Sequence, residues 1–489
     1  MPDFSGFVGP SYIAASIYQD DQESINWYPE VDPTKFGGAR STGQPEERGV
    51  VALYPTPGLL LKKTLPVAAE VRALWPIAGG NTLMVVCGNA LFTVDAAFNA
   101  INVGTLTTNS GQVSMTDNGT AVYLVDGPNR YGYAIASGTF AQIPASDGAF
   151  TGGKKVDIFD NFLVYNNPNT QQAGNTNVSS TASGATNVFS ADSAPDNLVS
   201  LIVCNRELWL LSEKHTEVWV DAGLFPVPFQ RLAGATTQHG IAATFSVARL
   251  GESFAMLTQD TRGQGIVVMM KGYQPLRIST HAVETAFAGY SKISDAIAYS
   301  YQQAGHEFYV LTFPTADVTW CYDLATQLWH KRAWRDQNNV LHRHRSNCAA
   351  IFQGQIIVGD YQNGNLYALS QSNYTDNGAA LPCIRRAPHL TTDLKRQFFH
   401  DLQIQFQPGV GLQSGQGSNP QAMLEWSDDG GSTWSNQHWA FIGKVGKYKN
   451  RAIWRRLGQA RDRIFQVTVT DPVYRVIVSA NLNASAAAH

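Results

Sequence analysis

The sequence predicts a mainly β protein that consists of a β-propeller of six or seven blades, an additional C-terminal β-rich platform domain and an extended N-terminal arm. Two observations favour the propeller. Short apolar segments with a central aromatic residue recur through the middle of the chain, and turns rich in Gly and Asn separate them. Helical periodicity is confined to short pieces. A length of 489 residues leaves room for the further domain.

The recurring segment is an apolar strand that often ends on Asp, Asn or Ser. Its copies are ALFTVD (90–95), AVYLVD (121–126), NFLVYN (161–166), ELWLLS (207–212), SFAMLT (253–258), EFYVLT (307–312) and NLYALS (365–370). Their aromatic residues are 31 to 59 positions apart, a range that brackets the ~40–45 residues of a four-stranded blade. Radial repetition leaves only short, protected strand edges. It therefore explains the recurrence better than the alternative, an irregular set of β-sandwiches.

Composition divides the chain into four parts. We place the arm at 1–49, the propeller at 50–371, the platform domain at 372–480 and a short tail at 481–489. Within the propeller, residues 166–192 are polar and carry little charge. We expect this stretch to form a long loop on one propeller face.

Charge and cysteine content narrow the function classes. The formal net charge of −3 excludes an overall electrostatic attraction to nucleic acid or to an anionic membrane. Five scattered cysteines without a C-x-x-C spacing predict reduced thiols and synthesis in a cytoplasm. No stretch approaches the ~18 apolar residues of a membrane span. The N-terminus lacks the basic region of a signal peptide. We therefore expect neither a membrane span nor a signal peptide.

The most specific local motif is SDDGGSTW (427–434), which fits the Asp-box through Ser427, Asp429, Gly431, Thr433 and Trp434. An Asp-box is a hairpin in which the carboxylate accepts hydrogen bonds from the turn and Gly allows a positive φ. We interpret it as structural. Asp-boxes are frequent in sialidases, however, so a glycan-binding or glycan-hydrolysing propeller is the alternative function. Sialidases usually carry several copies and an arginine cluster, and neither is evident in this sequence.

Two other motifs lack the neighbouring residues or structure that their functions require. GAFTGGKK (148–155) resembles a Walker A loop, but Lys155 stands where Ser or Thr is needed and a strand follows instead of a helix. LHRHR (341–345) offers two histidines, yet no third and fourth ligand are suitably spaced for a metal. No set of nucleophile, base and oxyanion donors can be assembled. We therefore expect no enzyme activity, no cofactor and no metal.

Charge is unevenly distributed along the chain. Residues 383–463 contain twelve Lys or Arg against six Asp or Glu, which leaves −9 for the rest of the chain. The densest part, 444–463, has eight basic residues and one acid. It predicts contact with phosphates or with an acidic partner surface; an ordinary solvated strand edge is the alternative. The candidate contact residues are Arg451, Arg455, Arg456, Arg461 and Arg463.

Several stretches carry a family resemblance that spans nearly the whole chain. They are FVGPSY (7–12), NWYPE (26–30), GDYQNGNLYAL (359–369), YTDNGAALPCIRR (374–386) and WRRLGQARDRIFQVTVTDPVYRVIV (454–478). In these the chain resembles the phage stabilisation protein family, the packaged-DNA stabilisation or tail nozzle (hub) proteins of short-tailed phages related to Salmonella podoviruses. No motif is catalytic in that family, so no active site carries over.

The resemblance implies a structural protein of the virion tail that is made and assembled in the host cytoplasm. Six copies would form a ring below the portal adaptor, line the DNA exit channel, and retain and then deliver the packaged genome. The implied partners are further copies of the chain, the portal adaptor, a tailspike or tail fibre, a tail needle or plug, and the passing double-stranded DNA. One subunit's basic residues would then meet the acidic face of the next subunit.

The implied ring of six copies predicts a role for the N-terminal arm. We expect it to be extended and to pack Trp27 and Tyr28 onto a neighbouring surface. Pro29 has no N–H to donate and would end any ladder that the arm joins. The alternative is a strand that closes the propeller within its own chain.

Overall fold

The computed structural model describes residues 2–36, 48–260, 262–391 and 395–486 of the chain. In this described part the protein is almost entirely β, and its helix α1 (His281–Ala288) has eight residues. No helix in the described part has the length and apolar character of a membrane span. The predicted mainly β fold is confirmed.

The five strands nearest the N-terminus are shared among different parts of the fold. They are β1 (Tyr12–Ile13), β2 (Asp21–Ile25), β3 (Trp27–Phe36), β4 (Arg48–Pro55) and β5 (Gly58–Thr64). β3 pairs with β4, whereas β5 pairs with a strand that lies about three hundred residues further along. The N-terminal segment therefore does not form a unit of its own.

Five consecutive four-stranded antiparallel units follow, each built in chain order. Unit one has β6 (Val71–Pro76), β7 (Thr82–Cys87), β8 (Ala90–Asp95) and β9 (Ala100–Thr105). Unit two has β10 (Ser114–Asp117), β11 (Ala121–Val125), β12 (Arg130–Ala134) and β13 (Thr139–Gln142). Unit three has β14 (Val156–Phe159), β15 (Phe162–Asn166), β16 (Gln172–Asn175) and β17 (Val188–Ser190). Unit four has β18 (Leu198–Cys204), β19 (Glu207–Ser212), β20 (Thr216–Asp221) and β21 (Phe229–Arg231). Unit five has β22 (Ala248–Leu250), β23 (Ser253–Gln259), β24 (Gly265–Lys271) and β25 (Gln274–Arg277).

Two further units complete the ring after α1. Unit six has β26 (Ile297–Gln303), β27 (His306–Phe313), β28 (Val318–Asp323) and β29 (Leu328–Arg335), with β30 (Leu341–Arg343) attached; unit seven has β31 (Ser346–Phe352), β32 (Gln355–Asp360) and β33 (Asn365–Ser370), with β34 (Thr375–Asp376) and β35 (Ala379–Ala380) nearby. The fourth strand of unit seven is β5, which comes from before unit one. The two ends of the propeller sequence thus meet in one sheet, and the predicted propeller is confirmed.

The first strands of adjacent units are linked by side-chain hydrogen bonds. The Ser114 hydroxyl of unit two donates to the carbonyl of Val156 in unit three (3.2 Å) and accepts from its N–H (3.1 Å). Across the closing seam, Asn347 of unit seven donates to the carbonyl of Val71 in unit one (3.0 Å). Short polar side chains therefore satisfy backbone groups that no strand of the same unit can reach.

The recurring segments of the sequence do not all occupy the same position in a unit. In units two to six the segment is the second strand, as in AVYLVD on β11. ALFTVD in unit one and NLYALS in unit seven are third strands, since β7 and β32 carry no aromatic residue. This exchange produces both the shortest and the longest of the spacings, so the irregular recurrence conceals a regular repeat.

The C-terminal part is a sandwich of two sheets. Its strands are β36 (Cys383–Arg386), β37 (Leu390–Thr391), β38 (Gln397–Phe406), β39 (Gln421–Ser427), β40 (His438–Phe441), β41 (Ala452–Arg455), β42 (Gln459–Ala460), β43 (Asp462–Val469) and β44 (Ile477–Ala486). One sheet has the order β3-β4-β44-β38-β41, and the other contains β2-β36-β43-β39-β40. Their inner faces bury alternate residues, such as Leu402 and Ile404 of β38 against Phe465 and Val467 of β43.

β2 joins the propeller to the sandwich. It pairs in parallel with β29 of unit six and antiparallel with β36, so unit six and one sheet of the sandwich form a continuous twelve-stranded sheet. Asn26 follows β2 with a φ of 55° and is fully buried. Its Nδ2 donates to the carbonyls of Ala333 and Pro382, both at 2.7 Å, and its Oδ1 accepts from Ala333 N–H at 3.1 Å. One side chain thereby connects both domains.

The expectation that Trp27 and Tyr28 pack on a neighbouring subunit is wrong. Trp27 is 0% exposed and donates its indole N–H to the carbonyl of Arg475 at 2.8 Å. Tyr28 is 5% exposed and packs against Phe308 of unit six. Both rings belong to the core of their own chain, because β3 lies where the sandwich meets the propeller. The arm pairs within its own chain, but not as the alternative expected, because the strand that closes the propeller is β5, which lies outside the arm.

Pro29 also departs from expectation. It lies inside β3, which continues to Phe36, and it pairs with Leu53 of β4. β3 is the outermost strand of its sheet, the position in a sheet where proline is tolerated. At the other end of the chain, the predicted tail from residue 481 begins inside β44, and residues 487–489 lie outside the described residues.

A buried histidine fastens β3 to unit six. Each ring nitrogen of His306 forms a hydrogen bond with a carboxylate oxygen. Nδ1 lies 2.8 Å from Asp323 Oδ2, and Nε2 lies 3.0 Å from Glu30 Oε2. The hydrogen bond to Asp323 and the nearby Glu30 charge raise the pKa of His306 above its usual value, although burial opposes the shift. Folding therefore favours the protonated form of His306 more than the unfolded chain does.

Replacement of Asn26 should disrupt the junction of the two domains. Asn26→Asp keeps the shape but turns a carboxylate toward two buried carbonyl oxygens, which costs on the order of 1–3 kcal/mol for each group left unpaired. Urea unfolding should show this loss, whereas Asn109→Asp, at an exposed loop position, should change stability little. Equal stability of the two variants would contradict the role of Asn26.

Stability should also fall as pH rises through the raised pKa of His306. Because the folded pKa lies above the unfolded value of ~6.5, the contribution is complete below pH ~6.5 and is lost above it. His306→Gln should remove this part of the pH dependence in urea unfolding between pH 5 and 9. His281→Gln, at a side chain that is 87% exposed, is the control, and an unchanged pH profile of His306→Gln would refute the argument.

Candidate functional site

The Asp-box forms a closed hydrogen-bonded turn after β39. Asp429 accepts from the N–H of Thr433 (2.8 Å) and from its hydroxyl (2.6 Å), and Ser427 donates to Asp429 (2.7 Å). Gly431 donates its N–H to Ser427 Oγ (2.8 Å) with a φ of 94°, which a side chain would rarely tolerate. The bonds from Thr433 and Ser427 lower the pKa of Asp429 to about 2.

The same turn packs on the junction of the two domains. Trp434 is half-buried, and the Arg386 guanidinium lies 5.0 Å from its ring centroid. Arg386 in turn pairs with Asp21 of β2 at 2.8 Å. These contacts supply a structural purpose for all five Asp-box residues. Each polar group named is engaged within the protein, so the turn offers no free carboxylate for chemistry.

A different surface combines the features of a contact site. At one side of the sandwich, β40 ends one sheet and β41 ends the other, and residues 442–451 connect them. Trp454 of β41 is buried and donates its indole N–H to the carbonyl of His438 on β40 at 2.8 Å. We call the surface formed by residues 438–456 the sandwich edge. Its two strands are tied together across the sandwich.

The loop of the sandwich edge has a defined shape. Gly443 accepts from Gly409 N–H at 3.1 Å, Ile442 donates to the carbonyl of Pro420 at 2.8 Å, and Asn450 donates to the carbonyl of Phe441 at 2.5 Å. The Tyr448 ring lies so close to Gly409 that a Cβ there would be 2.4 Å from it. The loop is thus held against the sandwich at several points, and its exposed side chains start from fixed positions.

Cations dominate this part of the chain. Between Gly430 and Arg461 the sequence has seven basic residues and no acid. All seven are exposed: Lys444, Lys447, Lys449, Arg451, Arg455, Arg456 and Arg461. None of them forms an ion pair with another described residue. The surface is therefore a cationic field whose counter-charge has to come from outside this part of the molecule.

Exposed aromatic rings accompany the cations. On β40, Trp439 is 55% exposed and Phe441 is 50% exposed, and the loop adds Tyr448 at 67%. The side chains of Trp439 and Phe441 lie on the same face, because successive residues of a strand alternate. Contiguous exposed apolar groups mark interaction sites, and Trp, Tyr and Arg are enriched among residues that dominate binding energy. The sandwich edge has this composition.

Arg463 does not belong to this surface, so its prediction as an assembly contact is wrong. It is 2% exposed and reaches Asp428 through Nε (2.6 Å) and Nη2 (2.7 Å). Its guanidinium also donates to the carbonyl of Leu457 and lies 4.7 Å from the Phe399 ring. β43 turns this residue into the sandwich interior. The other four predicted arginines are exposed on or beside the edge, where they stay predicted contacts.

Sequence reasoning missed the aromatic half of the sandwich edge. The alternation in HWAF (438–441) and the complete lack of acids over 430–461 were the available signals. It also missed the buried arginines. Arg385 is 0% exposed, and burial lowers its pKa to about 9. It donates to the carbonyls of Gly6 (2.8 Å), Phe7 (2.6 Å) and Pro10 (2.8 Å), and so holds the start of the chain.

The histidines of LHRHR are engaged in separate local contacts. His342 lies between Asp317 (2.6 Å) and Asp336 (3.5 Å), whereas His344 is buried and bonds to Ser346 at 2.6 Å. Among the described residues, no group of three or more His, Cys, Asp or Glu side chains is arranged to hold a metal ion. The GAFTGGKK loop leads directly into β14, as the sequence indicated.

Two family models match the chain. One, described as "Bacteriophage P22 Gp10, beta-propeller", matches residues 46–374, and one described as "Bacteriophage P22 Gp10, beta-sandwich" matches residues 383–485. No match was found among the curated proteins. The matched ranges correspond to the two domains of the structure.

Three solved structures show low similarity to this chain. The WD40 β-propeller domain of Doa1 has 12% identity and a TM-score of 0.39, covering 64% of this chain and 97% of that chain. The N-terminal domain of Nup159 has 11% identity and a TM-score of 0.41, covering 71% and 99%. The Neurospora crassa Pan2 WD40 domain has 9% identity and a TM-score of 0.42, covering 65% and 95%.

Arg463 and Arg461 should respond differently to the same substitution. Arg463→Gln breaks a buried, hydrogen-bonded pair and should cost about 1–3 kcal/mol, since Asp428 keeps partial access to solvent. Arg461→Gln, on the exposed side, should stay within about 0.5 kcal/mol of the parent. Urea unfolding of both variants checks this. Similar losses in the two would show that the buried position of Arg463 is not what matters.

Proposed function

The chain belongs to the bacteriophage P22 Gp10 family of phage stabilisation proteins, and from this membership we propose that it serves as the nozzle, or hub, of a short phage tail. A phage structural role follows from the family itself. The proposal adds a place in the virion: a homohexameric ring below the portal adaptor that lines the DNA exit channel. There the protein would retain the packaged genome and later deliver it.

The partners in this proposal follow from that position. They are further copies of the chain, the portal adaptor, a tailspike or tail fibre, and a tail needle or plug. The protein would be made in the host cytoplasm and assembled there into the virion tail. No catalytic step forms part of this role, and neither a cofactor nor a metal is required for it.

The observation that carries the proposal is the sandwich edge. A free monomer gains little from the six exposed cations of the edge and Arg461 beside it, all without ion pairs to described residues, and even paired surface charges contribute only ~0–1 kcal/mol each. In a ring, these cations can meet the acidic surface of the next subunit, because the chain outside residues 383–463 carries −9. Such complementarity selects the partner and the register of the contact more than it adds affinity.

The exposed rings favour a protein partner over DNA as the main occupant. Trp439 and Phe441 gain free energy when a partner removes their apolar surface from water, at about 25 cal/mol per Å². Duplex DNA offers phosphates but little apolar surface to such side chains. A surface that bound phosphates tightly would also slow a genome that has to leave through the channel. Contact with passing double-stranded DNA is therefore proposed as weak and transient.

A glycan-directed function has less support. It rests on the Asp-box, and the polar groups of Asp429 and Ser427 bond within the turn. Asp429 would thus act on the stability of the turn and not on a sugar. Loss of glycan binding by Asp429→Ala in an otherwise stable and assembling protein would favour this alternative.

Reversal of two cations on the sandwich edge should block assembly. Arg455 and Arg456 are exposed, so Arg455→Glu/Arg456→Glu should leave the fold intact while repelling an acidic partner. Light scattering of the purified protein and electron microscopy of tails should show a folded monomer that fails to form rings or to dock on the adaptor. Circular dichroism checks that the variant is folded.

A matched control carries the same charge change on the propeller. Arg262→Glu/Lys292→Glu reverses two exposed cations, and this variant should form normal tails. Normal tails from the Arg455/Arg456 variant would refute the proposed contact. Tails that assemble but lose DNA would instead assign these arginines to the channel.

A further inference from the structure

The loop between β20 and β21 presents apolar side chains to solvent. Residues 222–228 have the sequence AGLFPVP. Leu224 is 54% exposed, and Phe225 is 96% exposed, the highest value among the large apolar side chains of the described residues. Single exposed apolar residues are ordinary. Two adjacent ones at the end of a projecting loop are the arrangement of an anchor that awaits a partner.

This loop has a firm base. Ala222 donates its N–H to the carbonyl of Pro228 at 2.8 Å, and Gly223 donates to Asp221 Oδ1 at 2.8 Å. Just behind it, Phe229 is 3% exposed and belongs to the core between units three and four. We call residues 221–228 the propeller tip. Because its base is fixed, Phe225 loses little conformational freedom when it is bound.

The surroundings of the tip are acidic. Residues 191–231 contain six acids, of which Glu217 is buried, and three basic residues. Asp221 at the base is exposed, and the Asp192 side chain, 72% exposed, lies beside the neighbouring strand through its pair with Arg231 at 3.2 Å. An anionic lipid surface or a nucleic acid would be repelled by this charge. The matching partner is a cationic surface that also offers apolar contact.

The sandwich edge is such a surface. It combines six exposed cations that form no ion pair among the described residues with the rings of Trp439, Phe441 and Tyr448, and Arg461 adds a seventh cation beside it. We propose that the propeller tip of one subunit docks onto the sandwich edge of a second copy, with Phe225 against the aromatic rings and the exposed carboxylates of Asp221 and the nearby Asp192 against the cations. This inference rests on the proposed function, which already requires contact between copies, and it identifies the opposite half of that contact.

The positions of the two surfaces determine the kind of assembly. The twelve-stranded sheet begins in unit six, and β40 lies at its opposite end. The tip belongs to unit four, which is two units away from unit six in the ring. The tip and the edge are thus separate patches on one molecule. A contact between two different patches is heterologous, so it leaves one tip and one edge free and allows a closed ring instead of a two-fold dimer.

A photoreactive probe tests this contact directly. The full-length chain would carry p-benzoylphenylalanine in place of Phe225, and ¹⁵N-labelled and unlabelled chains would be mixed before irradiation. Mass spectrometry should find cross-links from position 225 to residues 438–456 of a differently labelled copy. The same probe at Ile101, which is 66% exposed on unit one, should give no such product. A probe at 225 that stays unlinked, or that labels another polypeptide, overturns the inference.

Complementary variants test the head-to-tail geometry. Leu224→Ser/Phe225→Ser should remain folded and should weaken association by about thirtyfold, the effect of truncating an aromatic hot spot. A mixture of this variant with Arg455→Glu/Arg456→Glu should give dimers and nothing larger, since one intact tip and one intact edge remain in the pair. Ile101→Ser should assemble as the parent does.

The outcomes separate this inference from the proposed function. If the tip variant assembles normally while the edge variant does not, the edge binds something other than the tip, and only this inference fails. If both variants form normal tails, the edge is not an assembly contact and the proposed function loses its support as well. Assemblies larger than dimers in the mixture of the tip and edge variants would refute the head-to-tail contact.

Discussion

The fold depends on the burial of a single polar junction, where β2 and Asn26 pass between the propeller and the sandwich. Asn26 has a positive φ of 55°, a conformation that Asn tolerates better than most residues, and its amide serves backbone groups on both sides. In a buried site each of these groups would be costly if left unpaired. Because one side chain satisfies them all, the two domains can share a continuous twelve-stranded sheet.

Strands from the first 64 residues consequently take part in both the propeller and the sandwich. They supply β2 to the junction, β3 and β4 to the sandwich, and β5 to the last propeller unit. β3 pairs locally with β4, but the pairings of β2 with β29 and β36, of β4 with β44 and of β5 with β33 join segments hundreds of residues apart, so loop closure makes them slow to form. They also make the domains mutually dependent. We infer that neither the ring of units nor the sandwich is complete until the N-terminal strands have been incorporated.

Buried arginines stabilise the loops inside this architecture. Arg72, Arg130, Arg385 and Arg475 are all 0% exposed, and their hydrogen bonds go largely to backbone carbonyls of loops. A guanidinium has five donors in a fixed plane, so one residue can hold several turns at once. A separate group of exposed cations lies on the sandwich edge. The protein thus separates arginines that stabilise its interior from arginines that are available to a partner.

The sequence by itself determined the local part of this protein. Alternating apolar residues, Gly and Asn turns and the Asp-box act over a few positions, and they predicted the strands, the propeller and the hairpin after β39. The charge surplus of residues 383–463 likewise located the region of the sandwich edge. Only the tertiary structure decided which of these residues face water. Arg461 and Arg463 are two positions apart, yet only Arg463 is turned into the sandwich core, and Trp27 is enclosed by strands from the far end of the chain. The physical reason is that burial depends on pairings between distant segments, such as β5 with β33 and β4 with β44, which no local pattern encodes.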